Sequence, residues 1–368
     1  MKKVGIVTLY GNANYGNKLQ NYAVQETLKK FNLEPITIKN RAELNKKDKY
    51  ILRYTAFLLR YIYNRCILKN EKYTDNEFNQ NLNRTKSFLQ FDSLIKTSNS
   101  YFNYFNKRKY SNYDYYCVGS DQVWNPNYGG MSEFDLLEFV SEDKVKFSFS
   151  ASLGVSSIDE KTMDKAKYYL KKFDGISVRE ETGKKILKKY IENNVDVLID
   201  PTMLLTCEEW QKIELKPKMI KNNKFILTYF LGKIGEQEED YIEKIAKDND
   251  CIIVNLLDKN SSFYSCGPSE FVWLEHHAFL ICTDSFHSCV FSIIFNNPFI
   301  VFERKDNLKS MNSRIENLLS KFKLSNRKYH CIKYDDIKQC DFSIANSNLK
   351  LEQKKTYDFL YKVIKENN

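Results

Sequence analysis

The clearest chemical signal in the sequence is a short polar turn between a buried strand and a helix, within residues 281–292. Either Thr283 or Asp284 is expected to cap that helix. The amides of the first helical turn and the positive end of the helix dipole then favour an anion such as phosphate. His287 falls in this turn, where an imidazole can bind a phosphate or carboxylate and transfer a proton near neutral pH. The alternative is that Ser285 assists the cap and His287 bonds a backbone carbonyl.

A second anion-binding candidate is Arg179, which ends a predicted strand at Ile176–Glu180. The planar fork of a guanidinium suits a carboxylate or a phosphate better than a lysine does. The alternative is a surface ion pair with Glu180, Glu181 or another carboxylate. This segment alone favours neither interpretation.

Amide side chains follow the first predicted strand. In the segment Asn14–Ala23, Gly16 permits a close backbone approach, while Asn17 and Gln20 share one helical face. That pattern suits the binding of sugar hydroxyls, and ordinary helix capping by the asparagines is the alternative. The G-x-G-x-x-G spacing is missing, so a dinucleotide fingerprint is not predicted.

The segment Val118–Pro126 also follows a strand, and it places a carboxylate, an amide and an indole in one turn. Asp121 can act as a base or bind hydroxyls, and Trp124 can stack on a sugar face. The structural alternative is a turn held by Asp121 with Trp124 as its apolar plug. The local sequence does not choose between them.

The elements that carry these segments alternate between short β-branched runs and helical patterns, which is typical of parallel α/β architecture. We predict an N-terminal Rossmann-like lobe over residues 1–200, a C-terminal Rossmann-like lobe over 201–345 and a terminal helix over 346–368. Ligands of such sheets bind at the carboxyl ends of the strands. The N-terminal lobe is the expected acceptor side and the C-terminal lobe the expected donor phosphate side.

Composition supports a folded, two-domain protein. The 368 residues are 42% hydrophobic and 14% aromatic, with only 12 Gly and 6 Pro, which excludes disordered and collagen-like chains. The nine cysteines are scattered without a C-x-x-C pair, so reduced thiols are expected rather than a disulfide framework or a zinc site. The chain begins in a strand with no apolar core of a signal peptide, so we expect a cytoplasmic protein.

The formal charge of +10 favours anionic partners without choosing among them. Nucleic acid ranks low, because the basic residues are dispersed among acids and no nucleic-acid motif appears. Within a predicted helix at Lys47–Lys69, the stretch Ile51–Leu68 is apolar but interrupted by three arginines, which argues against a membrane span. It can pack internally, which we prefer, or lie on the inner face of the membrane as a peripheral contact.

Five segments, taken in order, resemble the polysaccharide pyruvyl transferase family. They are Asn-Tyr-Gly-Asn-Lys-Leu-Gln-Asn-Tyr-Ala at 14–23, Gly-Ser-Asp-Gln-Val-Trp-Asn-Pro at 119–126, Ser-Val-Arg-Glu at 177–180, Asp-Pro-Thr at 200–202 and Thr-Asp-Ser-Phe-His at 283–287. The resemblance runs from Lys3 to about Arg314. It implies a fold similar to the GT-B glycosyltransferases, phosphoenolpyruvate as donor co-substrate, and a sugar of a bacterial surface polysaccharide precursor as acceptor. The implied product is a pyruvate ketal.

The resemblance also implies roles for residues of this chain. His287 would stabilise the departing phosphate or supply a proton, Arg179 would hold the donor carboxylate, and Asp121 would orient or deprotonate the acceptor hydroxyl. His287 and Arg179 would then converge on one donor molecule. Other expected donor contacts are Asp284, Ser285, Ser288 and Arg304, with Arg314 as a further anion contact, and expected acceptor contacts are Asn17, Gln20 and Trp124. The family usually has glycine where Ser288 stands.

No metal or other cofactor is predicted. His276 and His277 adjoin each other, but the sequence places no set of further ligands around them, so a structural or surface role is preferred. Two rival functions stay open: a glycosyltransferase that uses a nucleotide sugar, and a non-catalytic module that binds a sugar or a phosphorylated ligand. The sequence does not distinguish free, nucleotide-bound and lipid-linked acceptors, or the oligomeric state.

Overall fold

A computed structural model describes residues 1–10, 14–40, 59, 75–221, 224–304 and 309–365. The predicted helix Lys47–Lys69, and with it the basic amphipathic stretch, lies outside the described residues apart from Leu59. The described chain forms two compact units. The first holds residues 1–40, 93–205 and 348–365, and the second holds 59, 75–92 and 206–347.

The first unit is built on parallel strands. β1 (Lys2–Val7) lies between β2 (Leu33–Thr37) and β3 (Tyr115–Val118), and β4 (Val145–Ser148) follows β3. β5 (Ile176–Val178) and β6 (Val195–Val197) form a parallel pair, which single bridges from Phe147 to Gly175 and from Ala151 to Val178 join to the end of β4. The strand order reverses between β1 and β3, which is the switch point where ligands of parallel sheets bind.

Two helices of the first unit begin at ordinary capping signals. The sequence predicts a helix over Lys18–Phe31, and α1 (Tyr15–Lys29) starts three residues earlier, because the Asn14 side chain accepts a hydrogen bond from the Asn17 amide. Asp159 caps the helix over Glu160–Leu170 in the same way. The helix over Glu181–Leu187 is shorter than the predicted Glu181–Glu192, because the chain turns after Lys188.

The second unit repeats this design with four parallel strands. β7 (Phe225–Tyr229) lies between β8 (Ile252–Asn255) and β9 (Leu280–Thr283), and β10 (Phe299–Val301) follows β9. Its strand order therefore reverses between β7 and β9. Its described helices cover Asp75–Asp92, Cys207–Gln211, Glu236–Asp248, Pro268–His277, Phe286–Phe295 and Lys309–Lys321. In chain order through the whole protein they are α2, α5, α6, α7, α8 and α9, while Glu160–Leu170 is α3 and Glu181–Leu187 is α4.

The predicted α/β class, with two Rossmann-like lobes and a C-terminal helix, is confirmed, but two segments belong elsewhere than the predicted boundaries put them. Helix α2 was assigned to the N-terminal lobe, yet it packs in the second unit, where Arg84 Nη1 donates to the Tyr264 carbonyl at 2.8 Å and its guanidinium covers the Tyr264 ring. A Cβ on Gly267 would lie 2.6 Å from Ser87 Cβ, so the two segments approach closely.

The C-terminal helix α10 (Ser343–Lys365) is the other correction, because it does not form a part of the fold separate from the two lobes. From residue 348 onward it belongs to the first unit, where Leu360, Val363 and Ile364 are buried and the Tyr115 hydroxyl donates to the Ile364 carbonyl. Sequence periodicity shows that a helix has an apolar face but not which sheet that face covers.

Two further observations concern the cysteines and the search for membrane-spanning helices. The eight cysteines within the described ranges are all free thiols. Among the helices described, none combines the length and the apolarity that crossing a bilayer requires.

Candidate functional site

The first unit gathers four buried polar side chains at its switch point, and we call them the Asp121 cluster: Asn17, Asp121, Arg179 and Asp200. Asn17 Nδ2 donates to Asp121 Oδ2. Arg179 Nη1 donates to Asp200 Oδ2 at 2.6 Å, and Arg179 Nη2 lies 3.4 Å from Asp121 Oδ1. The side chains of Arg179 and Asp200 are 4% and 0% exposed, so these charges are almost fully removed from water.

Strand pairing explains why residues so far apart in sequence meet here. Beyond β3, β4 and β5 the ladder continues through single parallel bridges from Asp121 to Ala151 and from Ala151 to Val178. The carboxyl ends of three strands are therefore held side by side, and Arg179 directly follows the last bridge. Asp121 has φ 63° and ψ −166°, a backbone conformation that residues other than glycine rarely adopt. Such strain persists only where surrounding contacts fix it, and it is common at functional sites.

Asp200 anchors this cluster, and sequence reasoning did not count it among the site residues. Its Oδ1 accepts from the Thr202 amide at 3.0 Å and the Thr202 hydroxyl at 2.7 Å, while Oδ2 accepts from Arg179. Burial by itself lowers the pKa of Arg179, but Asp200 and Asp121 outweigh that effect and raise it. The signal in the sequence was present, since Asp200 follows the last strand of this sheet.

The alternative for Arg179 was a surface ion pair with Glu180, Glu181 or another carboxylate, and the carboxylates that it contacts here are the buried Asp200 and Asp121. Glu180 Oε1 instead accepts hydrogen bonds from the Ser152 hydroxyl and from the Leu153 and Gly154 amides, each at 2.9 Å. Glu180 thus holds the loop after β4.

Among the predicted acceptor contacts, Asn17 lies in the Asp121 cluster and Gln20 lies next to it. Gln20 is fully buried, and its Nε2 donates to Thr8 Oγ1 and to the Asn17 carbonyl, each at 3.1 Å. Its contacts are those of a residue that positions Asn17.

Trp124 is different, because the structure buries the indole completely. The ring meets Phe173 edge to face, and Nε1 donates to the Asp135 carbonyl at 3.0 Å. A fully buried ring offers no face to a sugar, so the stacking role predicted for Trp124 is wrong and the apolar-plug alternative holds.

The second unit has its polar cluster at the equivalent switch point, and we call it the Asp284 turn: Leu231, Gly232, Asp284 and Arg304. Asp284 Oδ1 accepts from the Leu231 amide at 2.6 Å, and Oδ2 accepts from the Gly232 amide at 2.7 Å and from Arg304 Nε at 3.3 Å. A Cβ on residue 232 would lie 2.5 Å from Arg304 Cγ, so glycine is required for this approach.

These bonds correct two predictions about the start of α8. Asp284 neither caps the helix nor offers its carboxylate to a ligand, because both oxygens hold the loop after β7 and orient Arg304. The N-cap is Ser285, which makes no side-chain cap bond, and Thr283 instead accepts from the Ser285 amide at 3.0 Å.

Two buried arginines contact residues at the start of α8. Arg304 donates hydrogen bonds to the carboxylate and the carbonyl of Asp284, which precedes the helix. The Arg314 guanidinium lies 5.0 Å from the centre of the Phe286 ring. His287, 8% exposed, sits between Phe286 and Ser288 in that turn. An uncapped helix start flanked by arginines is suited to an anion, since the helix dipole and the guanidinium groups attract the same charge.

Ser288 was expected to contact the donor, and here the structure corrects the sequence. Its hydroxyl donates to Oε1 of Glu275 on α7 at 2.5 Å, and both residues are fully buried. The serine that replaces the usual glycine is thus directed into the protein core by a partner 13 residues earlier, which the motif alone could not indicate.

The buried Glu275 makes a prediction possible. Desolvation raises the pKa of Glu275 well above its usual range, with the Ser288 hydrogen bond opposing this rise. At pH values above about 4.5, Glu275 therefore binds a proton when the protein folds. Its contribution to the free energy of unfolding is complete below that pH and is lost as the pH rises toward the pKa of Glu275 in the folded protein. Over this pH range, we expect the free energy of unfolding of Glu275→Gln to rise relative to that of the parent by up to about 1.4 kcal/mol per pH unit.

Urea unfolding of both proteins between pH 5 and 8 measures this difference. Glu243→Gln, at an exposed position of α6, is the matched control and should follow the parent at every pH. A gap between Glu275→Gln and the parent that stays constant with pH would show that Glu275 is ionised in the folded protein.

His287 and Arg179 lie in different units, and their convergence on one ligand stays a prediction. Within each unit, however, the predicted residues do meet: Asn17, Asp121 and Arg179 in the first, Asp284, Ser285 and Arg304 around the start of α8 in the second. Each group lies at the carboxyl ends of parallel strands, where the sequence analysis expected ligands.

Comparison with known proteins agrees with the motifs. The family model described as polysaccharide pyruvyl transferase matches residues 14–307. None of the curated proteins matches the sequence.

Solved structures are similar over nearly the whole chain at low identity. A glycosyltransferase from Rickettsia africae has 13% identity and a TM-score of 0.47, with 99% of each chain covered. A putative UDP-N-acetylglucosamine 2-epimerase from Listeria monocytogenes has 10% identity and a TM-score of 0.49, covering 100% of this chain and 98% of its own. MurG from Acinetobacter baumannii has 8% identity and a TM-score of 0.40, with 100% of each chain covered.

Proposed function

We propose, since the chain belongs to the polysaccharide pyruvyl transferase family, that it transfers the enolpyruvyl-derived group of phosphoenolpyruvate to two hydroxyls of a sugar in a bacterial surface polysaccharide precursor. The product is a pyruvate ketal, and phosphate is released. The observation that carries this proposal is the start of α8, where His287 lies in a first turn without a side-chain cap and Arg304 and Arg314 contact the neighbouring Asp284 and Phe286. A small phosphorylated acid is the kind of anion that such a turn suits.

The reaction has a definite balance of bonds. One sugar hydroxyl adds its oxygen to the central carbon of phosphoenolpyruvate and gives its proton to a base, while the methylene carbon gains a proton from an acid and becomes a methyl group. A second hydroxyl then displaces phosphate from the same carbon, and its proton leaves with the phosphate. In this proposal His287 supplies the first proton or stabilises the leaving phosphate, and Arg304 and Arg314 offset the phosphate charge.

The acceptor end of the reaction falls to the Asp121 cluster. Asp121 is held in one orientation by Asn17 and Arg179, which is what a residue that aligns or deprotonates a hydroxyl requires. Arg179 was expected to hold the donor carboxylate, and that remains part of the proposal. Because its guanidinium already bonds two aspartates, a donor carboxylate would have to join this network or displace one of them.

The test is acceptor-dependent chemistry with the purified chain. Phosphoenolpyruvate is incubated with a panel of free, nucleotide-bound and lipid-linked sugars, and released phosphate and the ketal methyl signal in proton NMR are followed together. We expect both only when phosphoenolpyruvate and a suitable acceptor are present. Consumption of a nucleotide sugar without phosphoenolpyruvate would establish a glycosyltransferase instead. Binding of sugar or phosphorylated ligand with no turnover across the panel would establish a binding module.

A further inference from the structure

Three potential metal ligands meet at the carboxyl end of α7, in the second unit: Glu214, His276 and His277. One ligand atom from each lies within 4.8 Å of the other two. His276 Nδ1 is 3.0 Å from Glu214 Oε2, and the two side chains are 21% and 17% exposed. Sequence reasoning found no third ligand for the adjacent histidines, because Glu214 lies 62 residues before His276.

The distances suit a small divalent cation. In tetrahedral zinc, with metal–ligand bonds of about 2.0–2.1 Å, ligand atoms lie about 3.3 Å apart. The pair of Glu214 and His276 is already close to that separation. His277 completes the group, because its ligand atom lies within 4.8 Å of the other two.

Both imidazoles are also held as metal-binding histidines usually are. The His277 ring stacks on Trp273, and its Nδ1 lies 2.9 Å from the Trp273 carbonyl. A carbonyl only accepts, so Nδ1 carries the proton and Nε2 keeps its lone pair for a metal. His276 stacks on Phe295 with ring centres 4.5 Å apart, which fixes the orientation of its ring.

We propose that Glu214, His276 and His277 bind one divalent transition-metal ion such as zinc, with water completing the coordination. Two histidines and one carboxylate form a ligand set that zinc accepts. The ion would tie the end of α7 to the segment after α5, and Glu275, the partner of Ser288, is the residue directly before His276. This inference does not depend on the proposed function.

Isothermal titration of untagged, chelator-treated protein with zinc chloride tests the site. We expect one zinc per chain in the parent. Glu214→Gln and His276→Asn should each weaken binding by 10-fold or more, and saturating zinc should raise the Tm of the parent but not of these variants. Glu214→Gln is nearly isosteric with glutamate, so this variant keeps the test valid if His276→Asn folds poorly.

Two control variants separate this site from other ligands on the surface. His330→Asn changes an exposed histidine, and Cys331→Ser removes an exposed thiol. Both should bind zinc as the parent does. Zinc affinity lost with Cys331→Ser, or equal in the parent and Glu214→Gln, would overturn the proposal, as would the absence of zinc binding by the parent.

Discussion

Arg179→Gln is expected to lower the free energy of unfolding by about 3–5 kcal/mol, the usual cost of removing one partner from a buried ion pair. The variant would leave Asp200 and Asp121 facing each other's charge without the guanidinium that now offsets it. Glutamine can replace one hydrogen bond but supplies no positive charge. Urea unfolding of Arg179→Gln against the parent at neutral pH measures the loss.

The double variant Arg179→Gln with Asp200→Asn separates charge from packing. If the ion pair causes the loss, removing one aspartate together with the arginine costs less than the sum of the two single changes, by about 0.5–3 kcal/mol. Additive losses would mean that Arg179 contributes through packing alone. Exchange of the exposed Lys185 on α4 for glutamine provides a matched removal of a single positive charge.

The same cluster shows what the sequence could and could not predict. Asp121 and Arg179 were both identified as site residues, because each follows a predicted strand, and parallel strands bring their carboxyl ends to one edge. That they bond each other was not predicted. Their contact depends on β3, β4 and β5 lying side by side. No local sequence pattern predicts that strand order.

At the start of α8, the position of the helix could be predicted from the local sequence, but the directions of single side chains could not. The position of His287 in a first helical turn follows from the change from strand to helix periodicity, so it was predicted correctly although the predicted cap was not. The directions of Asp284 and Ser288 depend on partners elsewhere, namely the loop after β7 and Glu275 on α7. Trp124 failed for a related reason, since an indole after a strand looks the same in sequence whether Phe173 covers it or a ligand does.

His287→Ala is expected to reduce acceptor-dependent phosphate release from phosphoenolpyruvate by about 10²- to 10⁴-fold, which is the usual contribution of a positioned proton donor. The variant removes the imidazole and leaves Arg304 and Arg314 at the start of α8. The donor should therefore still bind, and the loss should appear mainly in kcat rather than in KM. Steady-state kinetics with phosphoenolpyruvate as the varied substrate measures both.

His330→Ala, at an exposed position, is the matched control and should turn over as the parent does. Unchanged Tm in His287→Ala would show that its lost activity is not lost folding. A rise in KM with unchanged kcat would assign His287 to binding of the phosphate, because an interaction made equally in the ground state and the transition state leaves kcat unaffected. Equal release by His287→Ala and the parent would remove the residue from the mechanism, and the two arginines would then be the remaining groups at this helix start that can act on the leaving phosphate.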